Sequence, residues 1–213
     1  MDQAVESVLR EYEKRSAAET ERNQTMDDKE FYKHRDEFLL FVGPATGQLL
    51  NLLAKQCRAK TILEVGSSYG YSTVWLADAA RANGGKLISL EAIAEKQAYA
   101  KAQVQKAGLA ASVDFRLGDA RDSIAKLEIP IDFVLLDLWK DLYIPCFDLF
   151  YPKLSPGALV VADNMTYPES ALTHAMNYRK HVRIKRDMQS VLVPVGSGLE
   201  LSRCTRGLET TLV

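Results

Sequence analysis

Cysteine is scarce: Cys57, Cys146 and Cys204 are the only three in 213 residues, and they lie far apart. They form no CxxC pair and suggest no disulfide framework, so a reducing cytoplasm is the expected setting. Excess charge is missing as well. With 27 Lys and Arg against 28 Asp and Glu, the formal net charge is −1, and no global field draws the chain to nucleic acid or an anionic membrane. No apolar run is long enough to cross a bilayer; FVLLDLW and ALVVAD have the length of buried strands. The first residues, MDQAVESVLREYEKR, lack the basic start and apolar core of a secretory signal. The N-x-T triplets at Asn23 and Asn164 are therefore read as chance. His34, His174 and His181 show no metal-ligand spacing. Internal repeats, low-complexity tracts and linkers are absent too. Residues 1–213 are expected to form one domain, with residues 1–30 as a helical N-terminal appendage.

What is present is an alternation of helical and extended patterns. Val5, Val8, Leu9 and Tyr12 share one face of an N-terminal helix, followed by a polar stretch. A second helical pattern spans Phe31 to Phe41, and a third runs from Ala45 to about Cys57. Then TILEV, KLISLE, SVDFRL, IDFVLLD and ALVVAD read as strands, separated by helices over Tyr71–Arg81, residues 94–108 and ARDSIAKL. SVLVPV and LELSR, around Gly196-Ser197-Gly198, read as a terminal hairpin. The pattern predicts a doubly wound α/β fold: a mostly parallel, seven-stranded sheet with an antiparallel C-terminal edge.

Ligands of such sheets bind beyond the carboxyl ends of the strands. After the first strand comes Glu64-Val65-Gly66-Ser67-Ser68-Tyr69-Gly70-Tyr71-Ser72. Gly66 and Gly70 permit a tight turn, and the following helix offers free N–H groups to a carboxylate or phosphate. The spacing is G-x-x-x-G, not the G-x-G-x-x-G of a dinucleotide site, which favours a nucleoside without a diphosphate; S-adenosylmethionine (AdoMet) fits. Glu91, ending the second strand, can accept from both hydroxyls of a ribose or be a solvated strand-end residue. Asp119, after the third strand, can hold an adenine amino group or cap the next helix.

The fourth strand leads into Asp137-Leu138-Trp139-Lys140-Asp141, and the fifth ends in Asp163-Asn164. Asp137, Asp163 and Asn164 offer hard oxygen ligands suited to Mg²⁺, or Asp163-Asn164 caps a turn. Lys140 lies three residues past Asp137, on the same face of a helical turn. A lysine beside a divalent cation has its charged form disfavoured, which suits a general base; the alternative is a solvated side chain. Trp139 is either core or a wall against an aromatic ring.

These residues carry a resemblance. V-G-x-A-x-G-Q at Val42 to Gln48, L-E-V-G-x-x-x-G-Y-S at Leu63 to Ser72, L-D-x-W-K-D-x-Y at Leu136 to Tyr143 and A-D-N at Ala162 to Asn164 resemble the class I AdoMet-dependent O-methyltransferases. Within that class the similarity is to the cation-dependent catechol and caffeoyl-CoA types, from about Phe38 onward. The resemblance implies a Rossmann-like methyltransferase fold. It implies that Asp137, Asp163 and Asn164 bind the metal and that Lys140 takes the proton. Val42, Glu64, Gly66, Ser68, Ser72 and Glu91 would line the AdoMet site together with Asp119 and Asp137, and Phe38, Trp139 and Pro168 would flank an aromatic substrate. Leu138 stands where the mammalian catechol enzyme has histidine, and Phe38 where it has tryptophan. The C-terminal third, from about Ala171, matches poorly.

The expected activity is methyl transfer from AdoMet to a hydroxyl of a catechol-like small aromatic, assisted by a divalent cation such as Mg²⁺. A relative with the same chemistry would methylate a hydroxylated uridine in transfer RNA; the basic segment Arg179 to Arg186 either meets phosphates there or is a solvated face, and the near-neutral total charge favours the solvated face. A non-catalytic AdoMet-fold interaction protein is the rival of another class. The intact Asp137, Lys140, Asp163 and Asn164 argue against it. No membrane partner is expected, and the N-terminal helix could cover the substrate pocket or support a homodimer.

Overall fold

The computed structural model describes residues 1–23 and 34–208. Seven strands form one sheet in the order β3-β2-β1-β4-β5-β7-β6. They are β1 Thr61–Val65, β2 Lys86–Glu91, β3 Val113–Leu117, β4 Ile131–Leu136, β5 Leu154–Ala162, β6 Met188–Val193 and β7 Leu199–Cys204. The first five run parallel, and β7 and β6 add the antiparallel edge. The doubly wound sheet and the terminal hairpin both form as the sequence pattern predicts. Ser155-Pro156-Gly157, which by composition reads as a turn ahead of the strand ALVVAD, lies within β5 as a bulge. There the register against β4 slips between Ile131 and Phe133, and the bulge accommodates a proline that cannot donate to a ladder.

Side-chain alternation splits the core between the two sheet faces. On one face Ile62, Leu87, Phe133, Leu135 and Val161 pack under the helices α1 Gln3–Asn23, α2 Pro44–Gln56, α3 Tyr71–Asn83 and α4 Ala94–Lys106. On the other, Leu63, Val65, Val134, Leu136 and Val160 pack under α5 Ala120–Ala125, α6 Tyr143–Phe150 and α7 Leu172–Arg183. The apolar face of α1, with Val5, Val8, Leu9 and Tyr12 all buried, belongs to the first of these cores. Among the described residues no helix is long and apolar enough to cross a membrane.

The helix expected over Phe31–Phe41 is met at His34 but does not continue to Phe41. After a single turn at Arg35–Glu37 the chain runs irregularly to Gly43, with Leu40 at φ 45°. Residues 31–33 lie outside the described residues. Two helices went unforeseen. α6, YIPCFDLF, is apolar nearly all round and carries Pro145, so no helical period shows. α7 buries Ala175, Tyr178 and Val182 along one stripe.

Strand register fixes what stands together at the carboxyl edge. Val65 is level with Leu90 on one side and with Leu136 on the other, and Leu136 is level with Ala162. The ladder then continues one step: Asp137 N–H donates to Val65 O at 2.9 Å, and Asp163 N–H to Leu136 O at 3.1 Å. The glycine loop, Asp137 and Asp163 are thereby set side by side.

Candidate active site

A cleft opens at this edge. Leu39, Leu40, Phe41 and Val42 line one side, the loop Gly66 to Ser72 lines the other, and Asp137 closes an end. Five of the expected cofactor residues meet here: Val42, Gly66, Ser68, Ser72 and Asp137. Gly66 has φ +92°, and a Cβ there would fall 2.2 Å from the carbonyl oxygen of Asp137. At Gly70, φ +94°, a Cβ would fall 2.5 Å from Cβ of Ala100 in α4. Glycine is needed at both positions because protein already fills the space a side chain would take.

Glu91 does not project into open solvent. Its Oε2 accepts from Ser68 N–H at 2.8 Å, and its Oε1 from the N–H groups of Ala92 at 2.8 Å and Ile93 at 2.9 Å. The carboxylate holds the glycine loop against the end of β2. Glu64 lies beneath the cleft, fully buried, with both oxygens engaged: Ser72 Oγ donates to Oε1, and Thr73 Oγ1 and Ser89 Oγ donate to Oε2, each at 2.7 Å. Burial pushes its carboxyl up to about 7, against the pull of the three hydroxyls. Glu64 thus acts on the cleft through Ser72. Asp119 takes the capping role: its Oδ1 accepts from Arg121 N–H at 2.8 Å, and its carboxylate pairs with the Arg121 guanidinium, which holds its pKa down.

At the adjoining strand ends Lys140 is held from three sides. Its Nζ donates to Tyr143 OH at 2.7 Å, to Leu138 O at 2.9 Å and to Asp137 Oδ1 at 3.2 Å. Tyr143 OH in turn donates to Asp163 O at 3.2 Å. Asp163 is buried, and its Oδ1 finds no hydrogen-bond partner among the described residues. Burial, and then the neighbouring Asp137 carboxylate, push its pKa up. Asn164 follows at φ 57°. No three His, Cys, Asp or Glu side chains cluster to hold a metal among the described residues. The set here is two carboxylates and an amide. It fits a hard divalent cation, because an unpartnered buried carboxylate oxygen beside a second carboxylate is a site short of positive charge.

The three expected substrate residues differ in setting. Trp139 is half-exposed, Pro168 is partly buried after a cis bond to Tyr167, and Phe38 is buried, 4% exposed. Sequence reasoning missed Tyr143, although it ends the D-x-W-K-D-x-Y motif, and it missed the strap Leu39–Phe41 over the cleft. It also left the basic segment open. Arg179 and Arg183 both pair with the buried Glu200 of β7, at 3.2 and 2.6 Å, and Lys185 and His181 face Asp148.

Comparison with known proteins agrees with this architecture. Residues 14–205 match the O-methyltransferase family, and the chain belongs to that family. A catechol O-methyltransferase of Niastella koreensis is 40% identical over 128 residues, 58% of each chain. One from Bos taurus is 30% identical over 84% of this chain and 65% of its own. Caffeoyl-CoA O-methyltransferase 2 of Eucalyptus globulus is 30% identical over 78% of this chain and 75% of its own. The chain thus spans 58% and 65% of the length of the first two relatives. Among solved structures, an O-methyltransferase from Bacillus cereus in complex with SAH superposes with a TM-score of 0.74. It is 24% identical, over 96% of this chain and 91% of that one. TomG from Streptomyces achromogenes, an O-methyltransferase involved in tomaymycin synthesis and solved with SAM, gives 0.71 at 26% identity over 92% and 99%.

Proposed function

We propose that the chain transfers a methyl group from AdoMet to a hydroxyl of a small aromatic diol, with a divalent cation, Mg²⁺ by ligand chemistry, held by Asp137, Asp163 and Asn164. One observation carries the reading: the buried Asp163 carboxyl, with an unpartnered oxygen, lies beside Asp137, and the backbone carbonyl of the same residue is linked through Tyr143 to Lys140, next to the glycine loop. SAH and SAM bound to solved structures of this fold, and the catechol and caffeoyl-CoA activities named for other relatives, support it.

When bound, AdoMet supplies an electrophilic methyl group and the cation supplies Lewis acidity at the substrate oxygens. The protein supplies alignment and a place for the proton. Lys140 takes the proton of the attacking hydroxyl, its position set by Tyr143, Leu138 and Asp137. Glu91 holds the ribose hydroxyls, exchanging some of its bonds to the loop N–H groups. Val42, Ser68 and Ser72 line the remainder of the cofactor cleft, and Trp139 and Pro168 flank the ring. A small substrate is favoured over transfer RNA because Arg179 and Arg183 are already engaged by Glu200. Leu138 and Phe38, where the mammalian catechol enzyme carries histidine and tryptophan, make a different ring pocket the expectation.

Excess chelator is expected to abolish turnover and added Mg²⁺ to restore it. Asp163→Ala should remove activity while the chain still melts cooperatively and still binds AdoMet in a calorimeter. Full turnover in chelator would eliminate the metal-assisted reading.

A further inference from the structure

Tyr143 opens α6, is fully buried, and touches both loops that build the chemical end of the site. Its phenol oxygen accepts from Lys140 Nζ at 2.7 Å and donates to Asp163 O at 3.2 Å. The Lys140 ammonium also lies 4.6 Å from the centre of the Tyr143 ring. The ring is in turn braced edge-on by Tyr178, 5.4 Å away at 82°. Lys140's other two acceptors, Asp137 Oδ1 and Leu138 O, belong to its own loop after β4. Of these three acceptors, the phenol alone joins the lysine to the end of β5.

A lysine carries its amine on a flexible four-carbon stem, so a base built from it must be held in place. A phenol both donates and accepts. At 143 it can therefore accept from the amine while its own O–H donates to the Asp163 carbonyl. Phenylalanine would fill the same volume and lose both links.

We propose that Tyr143 is a positioning residue for Lys140: it fixes the amine relative to the β5 end, where Asp163 and Asn164 lie, and so to the reacting hydroxyl. This rests on the reading of Lys140 as the base. The test compares wild type, Tyr143→Phe, Lys140→Met and the double variant. The assays use a simple catechol with saturating AdoMet and Mg²⁺, well below each melting midpoint, with AdoMet affinity read separately by calorimetry.

Tyr143→Phe is expected to lower kcat by roughly 10-fold or more, as misplacement of a reacting group does, and to leave AdoMet affinity within about twofold. Lys140→Met should cost more. In the Lys140→Met background the tyrosine change should add nothing, because the two act as a unit. Effects that multiply in the double variant would overturn the proposal, since a merely structural tyrosine acts independently of the lysine. A Lys140→Met enzyme as fast as wild type would overturn it differently, by removing the base itself. Should Tyr143→Phe fail to fold, 3-fluorotyrosine at 143 keeps the hydroxyl and weakens it as an acceptor. It is expected to slow wild type and leave Lys140→Met unchanged, and equal slowing in both would contradict the proposal.

Discussion

Two glutamates at neighbouring strand ends show how far position decides chemistry. Glu64 and Glu91 are the same residue type, yet one is sealed under the cleft among three hydroxyls and the other braces backbone N–H groups at the rim. The sequence resemblance placed both on the cofactor. Alternation along β1 sends Glu64 to the face covered by α1 to α4, level with Ser89, so it reaches the cleft only through Ser72. Its raised pKa has a sign that can be checked. The folded chain keeps a proton on Glu64 that the unfolded chain has already lost, so unfolding releases it. Stability from this group therefore falls as pH rises from about 4.5 to about 7 and is flat above. Denaturant melts of wild type and Glu64→Gln across pH 5 to 8 should show wild type losing stability relative to the variant, by on the order of 3 kcal/mol at most. Parallel curves would refute this. At the rim, Glu91→Ala should weaken AdoMet binding by about 1.5–3 kcal/mol, roughly 10- to 150-fold by calorimetry, as expected for losing bonds to a charged acceptor. Unchanged affinity would mean that Glu91 holds no ribose.

Above single residues, the elements differ in how plainly they were written. β1, β2 and β4 are short, mostly apolar segments of strand length, and the parallel sheet follows from them. α6 was hidden because a helix whose sequence is apolar nearly all round has no polar face to set a period. α7 was hidden by its charges, which looked solvated but meet the buried Glu200 two elements later in the chain; pairing at that separation leaves no local signal. The strap over the cleft was misread as helix for a related reason. Its conformation is imposed by distant groups: Glu19 Oε2 accepts from Leu39 N–H at 2.8 Å, Ser68 Oγ donates to Leu39 O at 3.0 Å, and Tyr69 OH donates to Asp36 O at 3.1 Å. Arg15 secures Glu19 at 2.6 Å and also lies 4.3 Å from the centre of the Tyr69 ring. α1 thereby latches the segment that lines the candidate cofactor cleft. Glu19→Ala is expected to speed dissociation of S-adenosylhomocysteine about threefold or more, matching the modest energy of a partly exposed charged contact. Stopped-flow measurement of the off-rate checks it, and an unaltered rate would show that the strap stays closed without the latch.

For the molecule as a whole, fold and site were legible to different depths. The order of strands and loops put Gly66, Glu91, Asp137 and Asp163 at one edge, and strand register confirms that placement. The sequence could not show which side chains are already engaged, because that depends on partners brought in from elsewhere: Arg121 for Asp119, Glu200 for the basic helix, Tyr143 for Lys140. The central claim is metal-assisted methyl transfer to one of two adjacent hydroxyls. Chelation would let one oxygen react while its neighbour keeps the ring oriented, and a loosely placed reacting atom costs on the order of 100-fold in rate. The decisive measurement is the initial rate for a simple catechol and for the matching mono-phenol, side by side, at saturating AdoMet and Mg²⁺. The account predicts that the catechol reacts about 100-fold faster. Equal rates for the two would contradict it.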